Sequence, residues 1–112
     1  MFDTGTLDRA VRERRRRLAA EQAELLRRVR GALAELREPL GVKAAYVVGS
    51  LRSPELWRES SDIDVAVAGC SSVVLEVMKA LEDATGREVD VIDLDLHPDP
   101  QAFIRSGVRV YG

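Results

Sequence analysis

Gly49, Ser50, Asp62 and Asp64 have the types and the spacing to do chemistry. The glycine and serine end the apolar run Ala44 to Val48, and after eleven intervening residues the two aspartates flank Ile63 at the head of a second apolar run ending at Val67. A β-branched run stopped by glycine reads as a buried strand ending in a tight turn. At such a turn glycine lets backbone approach a ligand closely, and the Ser50 hydroxyl stands beside backbone N–H groups, which makes a small phosphate cradle. In Asp62-Ile63-Asp64 the strand period of two sends both carboxylates to one face and Ile63 to the other. Two adjacent carboxylates repel each other and are costly unless a cation lies between them. Hard oxygen ligands of this kind suit Mg²⁺, which is usually held by one or two carboxylates plus substrate phosphates. The chemistry such a set could do is chemistry on a nucleotide.

A third carboxylate stands further along. Glu88-Val89-Asp90-Val91-Ile92-Asp93-Leu94 alternates acidic and apolar residues, so Asp90 could reach the same metal from a neighbouring strand. Asp93 is offset by three and points to the opposite face of a regular strand. The ordered set of a Gly-Ser turn, a loop of this length, Asp-x-Asp and a later Asp in an apolar strand resembles the minimal nucleotidyltransferases of the DNA polymerase β-like superfamily, the MNT antitoxin type encoded beside a HEPN-domain partner. The ending Ile104-Arg105-Ser106-Gly107-Val108-Arg109-Val110-Tyr111 is similar to that family's own, and the resemblance covers roughly Gly31 to Gly112. It departs after the turn: the family often continues Gly-Ser-x-Ala-Arg-Gly, whereas this chain reads Gly49-Ser50-Leu51-Arg52-Ser53-Pro54.

The resemblance implies transfer of a nucleoside monophosphate, AMP from ATP, to a hydroxyl, with pyrophosphate leaving. It implies Asp62, Asp64 and Asp90 as catalytic residues and ligands of two Mg²⁺ ions. Gly49 and Ser50 would hold the β- and γ-phosphates, and Arg52 would reach a phosphate. The implied partner is a HEPN-type ribonuclease toxin, neutralised by complex formation and by adenylylation of a tyrosine. A short chain leaves little room for a small-molecule acceptor domain, which favours a protein acceptor. Two other readings stay open, a non-catalytic scaffold that binds nucleotide or partner, and a transferase acting on an aminoglycoside-like alcohol.

Composition narrows the classes. The chain has 112 residues, enough for one modest core, and 46% of them are hydrophobic. No apolar run is long enough for a membrane span and none follows the N-terminus, so neither membrane nor signal peptide is expected. One cysteine, Cys70, permits no internal disulfide and agrees with a reducing cytoplasm. His97 is equally solitary, beside Pro98, and reads as a loop residue, so a zinc site is not expected. The net charge of −2 hides a division: residues 1–40 hold ten arginines against seven acids, and residues 41–112 hold seven basic residues against twelve acidic ones. An acidic catalytic half argues against nucleic acid as a partner of this chain.

These residues need elements to position them. Leu18, Gln22, Leu25, Val29, Leu33 and Leu36 recur at helical spacing, so about Thr6 to Glu38 reads as one long helix or two helices end to end. Thr4 or Thr6 can cap it, and Pro39 ends it. Some 33 residues would span roughly 50 Å, so the first half is expected to project or to pack on another copy in a homo-oligomer. Arg14 to Arg17 reads as a solvated face of this helix, partly paired with Glu13, Glu21 and Glu24. A second helix should start at Ser71 or Ser72 and close at Gly86, and a third, short one is expected near Gln101–Arg105. Strands are expected around Ala44–Val48, Asp62–Val67, Glu88–Leu94 and Val108–Tyr111. The whole is an α/β (α+β) polymerase β-like palm, a mixed sheet with helices on one face and a long N-terminal helix. It divides into a helical arm, residues 1–38, and a nucleotidyltransferase domain, residues 39–112. The loop Leu51–Ser61 is expected over the site, with Trp57 more readily packed on the protein body than stacked on a base.

Overall fold

The computed structural model describes residues 4–112. It opens on α1 (Thr4–Leu36), so whatever caps this helix lies outside the described residues, and Thr6 sits inside the first turn. The helix stops two residues before Glu38. Pro39 disfavours helical geometry at the residue before it, and residues 37–40 form a turn in which the Leu40 N–H still reaches the Leu36 carbonyl at 3.0 Å. The Tyr111 hydroxyl donates to the Leu33 carbonyl at 2.8 Å and the Arg37 guanidinium lies 4.9 Å from the Tyr111 ring. The penultimate residue therefore satisfies part of the helix end.

Four strands follow, β1 (Ala44–Val48), β2 (Ile63–Ala68), β3 (Val89–Asp93) and β4 (Val108–Tyr111), in the spatial order β3-β2-β1-β4. A loop alone joins β1 to β2, and they pair antiparallel. The crossover through α2 (Val74–Thr85) makes β2 and β3 parallel, and β4 pairs antiparallel with β1. Both kinds of pair thus occur, as the connections require. Ser71–Val73 forms a 3₁₀ turn ahead of α2 and no side chain caps that helix, so the serines lead into it without the expected capping bond. Its end matches expectation: Gly86 takes a left-handed conformation at φ +69° and its N–H returns to the Glu82 carbonyl at 2.8 Å.

Strand alternation divides the sheet's two faces. Ala45, Val47, Ile63, Val65, Val67 and Val89 pack against Leu25, Val29 and Leu33 of α1 and Val77 and Leu81 of α2, which makes the main core. The other face carries Tyr46, Val48, Ala66 and Leu94, with Phe103 and Ile104 of the short α3 (Pro100–Ser106) against them. The two long helices share one face, and the acids of the motif stand on the other. Residues 5–17 of α1 are exposed, Leu7 and Val11 included, and the molecule measures 61 × 27 × 19 Å. The first half of α1 projects.

Candidate active site

The chain turns sharply at the end of β1. Gly49 takes φ +65°, a conformation that suits glycine, and starts a single 3₁₀ turn, Gly49–Arg52. Val48 pairs with Asp64 across the antiparallel ladder, which brings the glycine against that carboxylate. A Cβ on Gly49 would run into Asp64 Oδ2, so the position needs glycine both for its dihedral and for its lack of a side chain.

Sheet register sets the acids. Asp64 pairs with Asp90 in the parallel ladder, so both side chains leave the same face, the one bearing Tyr46 and Val48. Asp62 lies one residue ahead of β2 and is exposed, so the expected Asp-x-Asp strand holds only its second acid in the ladder. Asp64 senses both of the others. Burial raises the affinity of Asp64 for its proton above the ordinary carboxylate range, and the nearby charges of Asp90 and then Asp62 and a hydrogen bond with Asp90 add to that. Asp93 pairs with Val67 and, three residues from Asp90, faces the core side; its charge acts on Cys70 there.

Crowded negative charge of this kind fits a divalent cation by its donor set, because a cation would relieve what now favours the proton on Asp64. Among the described residues no group of three His, Cys, Asp or Glu side chains converges closely enough to hold an ion unaided.

Arg52 is engaged with backbone. Its Nε donates to the Gly49 carbonyl at 2.8 Å and a terminal nitrogen to the Ser106 carbonyl at 3.1 Å, which ties the turn to the end of α3. Beyond it, the loop departs from expectation. Leu51 and Trp57 are fully buried in the core on the α1 side, so the loop is drawn back onto the helices and does not cover the acids. Trp57 packs on the body, as its more favoured reading had it, with its Nε1 donating to Glu21 Oε1 at 2.8 Å. A cleft of about 830 Å³ lies between this loop and the first half of α1, lined by Val11, Arg14, Leu18 and Pro54 among others. The acids stand apart from it, Asp62 and Asp90 exposed and Asp64 half-buried.

Other expectations are altered in detail. Arg14 pairs with Glu59 at 3.5 Å, while Glu24 takes Arg27 and Arg28 and Glu21 takes Arg87, so among the described residues no ion pair joins the arginine run to Glu13, Glu21 or Glu24. His97 accepts from the Asp99 N–H at 3.0 Å and meets Phe103 edge-on at 4.7 Å, a loop-packing role. Sequence reasoning gave Glu21 to the arginine run, whereas it meets Arg87 and Trp57, and it passed over Arg87. It placed Gln22 in the apolar stripe without asking what a buried amide would bond; a polar residue in such a stripe signals a partner.

The Polymerase beta, Nucleotidyltransferase family profile matches residues 33–111. No curated protein matches the chain. Two crystal structures are similar in fold. A toxin–antitoxin complex with AMP-PNP contains a chain of 21% identity and TM-score 0.61, covering 74% of this chain and 73% of that one. A mutant MntA–HpeT toxin–antitoxin complex gives 19% identity and TM-score 0.60 over 74% and 72%. No helix among the described residues is long and apolar enough to cross a membrane. With the profile spanning the Gly-Ser turn, all three aspartates and every strand, the chain belongs to the polymerase β nucleotidyltransferase family.

Proposed function

We propose that this chain is a Mg²⁺-dependent adenylyltransferase that moves AMP from ATP to a hydroxyl of a partner protein, and that the partner is a HEPN-type toxin it neutralises. The observation that carries the reading is the pairing of Asp64 with Asp90 in register beside Gly49. The family supports the reaction class, and the toxin–antitoxin complexes of similar fold, one with AMP-PNP, support the partner and the nucleotide.

Asp62, Asp64 and Asp90 would hold two magnesium ions. Bound there, the metal would neutralise the triphosphate and the charge that develops on the leaving pyrophosphate. Asp90 takes the proton of the attacking hydroxyl as its oxygen bonds to the α-phosphorus and the α–β phosphoanhydride bond breaks. Gly49 and Ser50 hold the β- and γ-phosphates so that the pyrophosphate leaves in line with the attack. Positioning and charge neutralisation provide most of the acceleration in such transfers. Arg52 keeps the turn in shape through the Gly49 and Ser106 carbonyls.

The test is incubation with Mg²⁺, ATP and the protein encoded beside this gene, read by mass spectrometry. One or more adenylate adducts on the partner are expected, lost with EDTA or with Asp62→Asn. Neutralisation of the partner without any adduct, equally by Asp62→Asn, would replace this reading by a binding scaffold. An adduct on a free sugar or aminoglycoside would replace the acceptor class.

A further inference from the structure

Two consecutive residues of α1 reach both ends of the Leu51–Ser61 loop. Gln22, only 4% exposed, donates from Nε2 to the Leu51 carbonyl at 2.8 Å. Glu21 serves the other end: its Oε1 accepts from Trp57 Nε1 at 2.8 Å and from Arg87 at 3.3 Å. Arg87 in turn donates to the Ser61 carbonyl at 2.7 Å and the Glu59 carbonyl at 3.2 Å, with its guanidinium 4.9 Å from the Trp57 ring. Leu51 directly follows Ser50, and Ser61 directly precedes Asp62.

We propose that Gln22, Glu21 and Arg87 are positioning residues that fix the separation of the phosphate turn and the first carboxylate. The inference rests on the reading of Gly49, Ser50 and Asp62 given above, and none of the three residues is assigned to touch substrate. Asp62 needs such support because it lies ahead of β2, where the ladder does not set its place. The chain immediately before it is held by Arg87, whose guanidinium meets the Ser61 and Glu59 carbonyls with one terminal nitrogen and the Glu21 carboxylate with the other, a planar two-nitrogen span that the single ammonium of lysine cannot reproduce. The turn has the matching need, since Gln22 is the buried donor that meets the Leu51 carbonyl. Both anchors come from residues 21 and 22, ahead of the matched segment 33–111, so the long helix is part of what shapes the site.

The test uses the full chain and the variants Arg87→Lys, Glu21→Gln and Gln22→Leu. Folding is read by thermal melting. Trp57 is the only tryptophan of the chain, so its emission reports whether the clamp is seated. Mg²⁺-ATP binding is read by calorimetry, and transfer by kcat and KM. Arg87→Lys and Gln22→Leu are expected to stay folded, to shift Trp57 emission or loop protection, and to lose about five- to tenfold in Mg²⁺-ATP affinity or kcat, the scale of one lost hydrogen bond. Glu21→Gln keeps an oxygen for Trp57 and loses only its charge toward Arg87, so a smaller loss of about two- to threefold is expected. Should one variant fail to fold, the other two decide. Lowered melting temperatures with unchanged affinity, kcat and KM would overturn the proposal and leave the clamp as loop packing. A parent chain that neither binds Mg²⁺-ATP nor transfers would overturn the functional reading beneath it, and the proposal with it; an active parent with variants equal to it would overturn the proposal alone.

Discussion

Asp90 and Asp93 are separated by only three residues, and the fold gives them opposite surroundings. Asp90 stands on the open face in register with Asp64, and Asp93 faces the core side near Cys70. Asp90→Asn is therefore expected to lower adenylyl transfer by about 10²–10⁴, while Asp93→Asn leaves it within a factor of a few; a reversed pair in a transfer assay would refute the assignment. This division was legible in the sequence, because period-two alternation needs no tertiary information. What was not legible is the place of Asp62, one residue outside the strand, and the seat of Arg52, whose partner Ser106 is distant in sequence. Gly49→Ala should cost about 1–3 kcal/mol from its positive φ alone and should displace the Asp64 carboxylate, so Mg²⁺-ATP binding measured by calorimetry should be lost as well. Cys70 has a pH signature of its own. Burial, and then the Asp93 and Asp95 carboxylates, push its thiol above its usual value of 9.0. The native state thus holds this proton more tightly than the unfolded chain does, and stability falls as pH rises from the ordinary thiol range through the raised native value. Native protein at pH 8 should resist iodoacetamide and react once urea unfolds it; rapid labelling of folded protein would contradict the burial.

At the scale of elements, α1 serves two purposes along one continuous helix. Its second half is core: Val29 and Leu33 are fully buried against the sheet, and Tyr111 closes the helix end from the last strand. Leu33→Ala should cost about 2–5 kcal/mol in urea unfolding, whereas Leu7→Ala in the exposed half should change stability by no more than about 0.5 kcal/mol. Equal costs would mean that the whole helix is packed. The helical stripe from Leu18 to Leu36 announced this packing, since apolar residues at that spacing must meet another element. Element boundaries were similarly plain where glycine marks them, at Gly49 after β1 and at Gly86 after α2. The loop between Leu51 and Ser61 was not. Its course depends on Gln22, Glu21 and Arg87 meeting Leu51, Trp57 and Ser61. Such long-range pairs of polar side chain and carbonyl leave no periodic trace in a sequence, so the loop could be placed only by the folded contacts.

Over the whole molecule, charge and shape are divided alike. The projecting half of α1 carries Arg9, Arg12 and the run Arg14 to Arg17, and the domain below it carries the acidic excess. The molecule is 61 Å long although its sheet and packed helices are much shorter. Removing residues 1–17 should leave a folded domain, because Leu25, Val29 and Leu33, the sheet and α2 already share one core without them. Among the described residues, one ion pair joins that segment to the domain, Arg14 with Glu59, exposed on both sides, and such a pair contributes about 0–1 kcal/mol. The midpoint in urea should thus shift little. What the truncation should lose is association, since Leu7 and Val11 leave about half of their surface exposed and a basic helix draws acidic surfaces at low ionic strength. Sedimentation of the full and shortened chains, alone and with the partner, at low and high salt, decides the matter. The full chain should associate more tightly at low salt, and the shortened chain should show neither that association nor its salt dependence. A shortened chain that unfolds would place residues 1–17 in the core, and one that associates unchanged would leave the arm without a role in assembly.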